Sequence, residues 1–179
     1  TQREFVGDPL WTWTQCFQWG NQVKPVNIGQ RNGAGPMPEP DQVRLMSYIA
    51  MNRGVRGLLY FSYEELERLP ELGAEVALVA AETRMFNDYL AAGEPTYDLT
   101  TSEPDFRATA FEYEGSTAII AAVVRDYYHS WIDEAIITNA TIDVPWSDKS
   151  DPVALLYATP NIVDCEVVRV SPDVVRIPI

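Results

Sequence analysis

The chain of 179 residues has little lysine and histidine, and both shortages argue against classes of function. Two lysines are present, and 13 basic residues in all face 26 acidic ones, which gives a net charge of −13. An acidic surface repels phosphate, which argues against nucleic acid as a partner and against binding to an anionic membrane. The single histidine, His129, leaves no Ser-His-Asp triad and no metal site built on histidine.

Cysteine and long apolar runs are scarce too. Cys16 and Cys165 are too few for a disulfide scaffold and form no CxxC zinc motif, so we expect two buried thiols, with a bridge between them as the alternative. No run of about 18 apolar residues predicts a membrane span. The sequence starts at Thr1, without a signal peptide and close to an apolar strand, which suggests a mature or truncated product. The acidic, lysine-poor composition favours an exported protein.

The first 95 residues alternate strand and helix patterns with short turns, which is typical of parallel β/α units. The first predicted elements are a strand in Pro9–Trp19, a Gly- and Pro-rich loop from Gly20 to Pro40, a helix ending at Gly54 and a strand in Val55–Ser62. A capping box of Ser62 and Glu65 starts a new helix that Pro70 interrupts, and a longer helix then runs to Leu90 and ends at Gly93. From residue 96 the pattern changes to six or more short strand candidates, which indicate an antiparallel β-sandwich.

The predicted fold class is therefore α/β plus all-β, with domains at 1–95 and 96–179. Two parallel strands cannot be covered on both faces by so few helices, and parallel strands are normally buried on both. A complete (β/α)8 barrel takes about 250 residues. We therefore expect residues 1–95 to be the end of a larger barrel. The alternative is a small open α/β layer on the sandwich.

Motif detail supports the barrel interpretation. The stretch "WTWTQCFQWG", the helix "PEPDQVRLMSYIAMNRG" and the strand "VRGLLYFS" follow one another in a fixed order. Together they resemble the last two units, β/α units 7 and 8, of glycoside-hydrolase-like (β/α)8 barrels, in which a C-terminal β-sandwich is common. The matching residues are Trp11 or Trp13, Gln15, Phe17, Pro38, Arg44, Met46, Tyr48, Ala50, Gly54, Gly57, Tyr60, Phe61 and Ser62.

The resemblance implies part of a carbohydrate-active enzyme that hydrolyses O-glycosidic bonds. Such hydrolysis needs two carboxyl groups beside the bond, and neither predicted strand contains an acid. Glu64 follows the second strand and is predicted to be a solvated acid of a first helical turn. The catalytic acids are therefore expected on earlier strands, outside this chain, which alone would be inactive. The alternative is a non-catalytic carbohydrate-binding or structural protein.

The residues of this chain could supply the wall that binds an oligosaccharide or polysaccharide. Alternation along the strand places Trp11, Trp13, Gln15 and Phe17 on one face. Gln15 is the best candidate for a sugar contact. The competing interpretation of Gln15 is a buried amide that is hydrogen-bonded to the backbone. Trp13 is interpreted first as core and second as a stacking platform. The remaining candidates are Tyr60 at the pocket, Gln18 and Trp19 at the rim or as loop anchors, and Ser62, which also fits a helix cap.

No metal or cofactor is expected. The turn Asp143–Asp151 holds acids and serines but lacks the ligand spacing of an EF-hand loop. The stretch "GQRNGAG", Gly29 to Gly35, lacks the Lys-Ser/Thr ending of a phosphate-binding loop.

Overall fold

The structure, a computed structural model, describes residues 10–15, 38–61, 66, 69–124, 139–148, 150–158 and 161–179. The chain divides into two compact units, Thr1–Gly93 and Glu94–Ile179. The described residues form eleven strands and three helices. None of these helices is long and apolar enough to cross a membrane.

The first unit contains a parallel strand pair and all three of the described helices. Its elements are β1 (Leu10–Gln15), α1 (Pro40–Asn52), β2 (Val55–Phe61), α2 (Pro70–Met85) and α3 (Asn87–Ala92). Pro40 stands at the start of α1, where its missing N–H costs nothing, and the Glu39 N–H donates to Gln42 Oε1 at 3.0 Å. After α1 the chain reverses at Gly54, whose φ of +83° suits a residue without a side chain.

A polar network joins α1 to α2. Glu82 on α2 is 1% exposed, and it accepts hydrogen bonds from Arg44 Nη2 at 2.7 Å and from the Tyr48 hydroxyl at 2.6 Å. Arg44 also binds Glu75 at 3.0 Å. Burial lowers the pKa of the Arg44 guanidinium, but the hydrogen bonds to Glu82 and Glu75 outweigh it and raise the pKa above its ordinary value. The buried carboxylate is thus paired, as burial of a charge requires.

Arg56 ties β2 to the end of α3. Its guanidinium donates to the backbone carbonyls of Tyr89, Leu90 and Gly93. The carbonyls at the end of a helix lack full hydrogen bonding within the helix and lie at the negative end of its dipole. A guanidinium there donates hydrogen bonds to these carbonyls and is attracted by the dipole. One long helix was predicted up to Leu90, whereas the structure separates α2 from α3 at Phe86.

The second unit is built from short antiparallel strands. These are β3 (Glu94–Thr96), β4 (Thr100–Thr101), β5 (Phe106–Tyr113), β6 (Ser116–Val123), β7 (Thr141–Pro145), β8 (Ala154–Ala158), β9 (Asn161–Cys165), β10 (Val168–Ser171) and β11 (Val174–Pro178). They form sheets in the orders β10-β11-β7-β4, β3-β5-β6 and β8-β9. A cluster of buried residues from β5, β7 and β11, including Ala108, Ile142 and Val175, packs together as the core. The two-residue turn Glu114-Gly115, with φ of +47° and +78°, joins β5 to β6.

The predicted fold class, a partial (β/α)8 barrel followed by a β-sandwich, is wrong. The described residues form four small sheets, three of them antiparallel, and only three helices. The one parallel sheet has two strands, β1 and β2, and does not make a barrel wall. The remaining strands divide among sheets of four, three and two strands. The alternation of strand and helix patterns reflects local structure, whereas a barrel depends on which strands pair over long range.

We expect Glu82→Ala to destabilise the first unit by about 3 kcal/mol, the lower end of the range for breaking a buried ion pair, because Glu75 still holds Arg44. The measurement is urea unfolding, monitored by the helical signal in far-ultraviolet circular dichroism. Glu75→Ala is the matched control; its carboxylate is 16% exposed, and we expect a loss of about 1 kcal/mol. Equal losses for the two variants would contradict a dominant role for the buried carboxylate.

A second prediction concerns pH. Asp143 on β7 lies opposite Arg176 on β11 and accepts two hydrogen bonds from it, at 2.6 and 2.8 Å. These bonds hold the pKa of Asp143 below its ordinary value of 3.8. The stabilisation is therefore complete above that value and is lost as the pH falls through the lower folded pKa. We expect Asp143→Asn to lower the urea midpoint at neutral pH, and the gap to wild type to close in acid. A gap that stays constant with pH would refute this.

Candidate functional site

The β1–β2 pair has two unlike faces. The register places Trp11 opposite Gly57, Trp13 opposite Leu59, and Thr14 opposite Tyr60. Helix α1 covers the face of Thr14 and Tyr60: Thr14 is 4% exposed, and the Tyr60 hydroxyl lies 3.0 Å from Ser47 Oγ on the helix. Side chains alternate along a strand, so Trp11 and Trp13 lie on the other face. We call this second face the tryptophan face.

Trp11 lies flat on the backbone of β2. A Cβ at position 57 would stand 2.5 Å from Trp11 Cδ2, 2.7 Å from Cε3 and 2.8 Å from Cε2. Cδ2 is bonded to three ring atoms, so a close approach to it comes from above or below the ring plane. One side of the indole therefore rests on Gly57, where any larger residue would collide with it. Gly57 is what allows the ring to lie down on the strand.

The outer side of this surface is open. Trp11 is 58% exposed and Trp13 is 66% exposed, although tryptophan is one of the residues that proteins bury most. With one side of Trp11 against Gly57, the exposed area belongs largely to its other side. Of the two interpretations of Trp13, an exposed platform therefore describes its position better than a core residue does.

The two described strands that carry the tryptophan face contribute little charge. Across β1 and β2 the only ionisable groups besides the Tyr60 phenol belong to Arg56, whose guanidinium binds the carbonyls at the end of α3. No Asp or Glu occurs in either strand. Within the described residues, no group of three or more His, Cys, Asp or Glu is placed to hold a metal ion. The surface can therefore stack on a ligand but offers no acid pair for hydrolysis.

The other predicted site residues are only partly accounted for. The backbone of Gln15 pairs with that of Phe61 at the end of β1, and the predicted sugar contact of its side chain stays a prediction. Tyr60 lies on the opposite face, beneath α1. Gln18, Trp19 and Ser62 fall outside the described residues, as do Cys16, Glu64 and His129. Their predicted roles stay predictions. Cys165 is a free thiol.

Sequence reasoning did not assign Gly57 a role in the site. It appeared as one position of the resemblance, whereas the structure makes it the support for Trp11. A glycine inside a strand often marks the close approach of another group, so the signal was present. What the sequence could not supply was the register that sets Gly57 opposite Trp11.

Comparison with protein-family models, with curated proteins and with solved structures finds no match for this chain.

We expect Gly57→Ala to displace the Trp11 indole and to cost about 1–3 kcal/mol, the usual penalty for forcing an extra methyl group into a filled space. A double-mutant cycle in urea isolates the cause. In the Trp11→Ala background the same substitution meets no ring, and its cost should largely vanish. An unchanged cost in that background would show that Gly57 matters for another reason, such as its own backbone conformation.

Proposed function

We propose that this chain provides a carbohydrate-binding surface in which Trp11 and Trp13 stack on the sugar rings of an oligosaccharide or polysaccharide. The observation that carries the proposal is the exposed, flat indole of Trp11 on Gly57, with Trp13 beside it. Contact of two exposed tryptophan side chains with water is unfavourable in free energy. A contiguous exposed apolar patch commonly marks a binding site. The C–H bonds on one side of a pyranose ring form an apolar surface that can lie on such an indole.

The arrangement favours an extended ligand. Trp11 and Trp13 are two residues apart on one strand, so their Cα atoms are separated by roughly 6.6 Å along β1. Successive sugar rings of a chain running parallel to β1 could each contact one indole. Gln15 follows at the same spacing, and its amide would be suited to bind a sugar hydroxyl. Tyr60 is left out of this proposal because it lies beneath α1.

The small amount of charge on the described strands favours a neutral glycan. A uronate or sulfated sugar gains from a cation beside it, and the described strands of the tryptophan face offer only Arg56, which is bound elsewhere. The net charge of −13 further disfavours an anionic polymer. The proposal is therefore recognition of uncharged polysaccharides.

Hydrolysis of the bound glycan is a second part of the proposal, and it depends on the binding proposed above. It requires two carboxyl groups placed about the glycosidic bond, and β1 and β2 contribute none. A glycoside hydrolase containing this chain would need to supply them from other residues. On its own the chain is expected to bind sugar without releasing reducing ends.

Affinity electrophoresis tests the binding. The chain is run through gels that contain hydroxyethylcellulose, xylan, mannan or laminarin, with polygalacturonate as the anionic polymer. We expect retardation by at least one neutral polymer, and weaker or no retardation by polygalacturonate. Trp11→Ala and Trp13→Ala should each weaken binding about tenfold or more, which corresponds to the loss of a stacking contact of about 1.4 kcal/mol.

Tyr97→Ala is the matched control, because Tyr97 is 48% exposed and lies in the second unit. It should leave retardation unchanged. Binding that survives removal of both Trp11 and Trp13 would overturn the proposal, as would the absence of retardation in every neutral gel. Equal losses for Tyr97→Ala would mean that retardation reports nonspecific aromatic contact.

A further inference from the structure

A separate surface lies on the hairpin of β8 and β9. The register places Leu155 opposite Asp164 and Tyr157 opposite Ile162. Paired residues and residues two apart on a strand share one side of a sheet. Leu155 is 64% exposed and Ile162 is 56% exposed, although both are large and apolar. We call the set Leu155, Tyr157, Ile162 and Asp164 the hairpin face.

On the opposite side of the hairpin Val163 is 45% exposed, and the Cys165 end of that side contacts β11. Cys165 pairs with Ala154 on that side, and its thiol donates to the carbonyl of Pro178, at the end of β11, at 3.1 Å. The hairpin face therefore points away from β11. A two-stranded hairpin is only marginally stable in water unless another layer covers its apolar side. A partner that covers the hairpin face would supply that layer.

The charge around the hairpin face defines what could cover it. Residues 94–179 contain fifteen Asp and Glu against five Lys and Arg, a net charge of −10. Between Ser150 and Val167 the sequence has Asp151, Asp164 and Glu166 and no basic residue. Asp164 stands within the apolar surface, beside Leu155. Covering this surface would remove water from the carboxylate, which is costly unless the partner brings a cation to it.

A second copy of the chain does not meet that requirement. On another molecule the same hairpin with its flanking residues, 151–166, has three acids and no Lys or Arg to place against Asp164. Self-association through this surface would bring like charges together and leave carboxylates unpaired. We propose that the hairpin face docks an amphipathic segment of a partner protein, apolar on one side, with a Lys or Arg that pairs with Asp164. This proposal is independent of the tryptophan face.

Two synthetic peptides test the proposal with the full chain. One is a fluorescently labelled amphipathic peptide of Leu and Lys, and the other has the same pattern with Glu in place of Lys. Fluorescence anisotropy at physiological salt should show binding of the Lys peptide and little binding of the Glu peptide. Leu155→Ser should weaken binding of the Lys peptide about tenfold, as expected for an apolar side chain that is buried on docking. Asp164→Lys should reverse the preference between the two peptides.

Glu112→Gln is the matched control, since it removes one exposed negative charge on β5, outside the hairpin. It should leave the affinity for the Lys peptide unchanged. The proposal is overturned if the Lys peptide does not bind, if Glu112→Gln weakens binding as much as Asp164→Lys, or if Asp164→Lys keeps the original preference. Sedimentation velocity supplies one further outcome: a dimer that Leu155→Ser dissociates would make a second copy the occupant and also overturn the proposal.

Discussion

The structure of the first unit depends on the parallel pairing of β1 with β2 while α1 covers only one side of the pair. Parallel strands are normally buried on both faces because their crossover helices cover them. Here the covered side packs Thr14 and Tyr60 against the helix, and the other side is left to two tryptophans. Among the described elements, exposure of the tryptophans is therefore a direct consequence of a two-stranded sheet with one helix layer. The same geometry that fails to make a barrel creates the candidate binding surface.

Several local features of this unit could be predicted from the sequence because they depend on neighbouring residues. Pro40 and Gly54 mark the ends of the first helix region, and the strand near Val55 follows at once. The predicted fold class was wrong for the opposite reason, because the fold class depends on which strands pair over long range. Short apolar strands in the second half carry similar patterns, and nothing in those patterns says that they divide among three sheets.

The candidate site shows the same division between local and long-range information. Alternation along β1 correctly groups Trp11 with Trp13, since that relation is internal to one strand. Tyr60 was predicted at the pocket, but its side of β2 is decided by the register with β1 and by the position of α1. Gly57 gained its role only when the register set it opposite Trp11. Residue types thus indicated the chemistry, and strand pairing decided which of them share a surface.

The two exposed apolar surfaces differ in the chemistry that surrounds them, and this difference separates their ligands. Residues 1–93 contain eleven acidic and eight basic residues, and the strands of the tryptophan face hold no acid. A ligand there gains mainly from stacking and from release of water, which suits an uncharged sugar chain. The hairpin face lies in a unit with a net charge of −10 and includes Asp164 among its apolar residues. Apolar contact alone would leave that carboxylate buried without a partner, so a cation is part of the recognition. Exposed apolar area is thus common to both surfaces, while the fixed charges within each select the kind of molecule that can cover it.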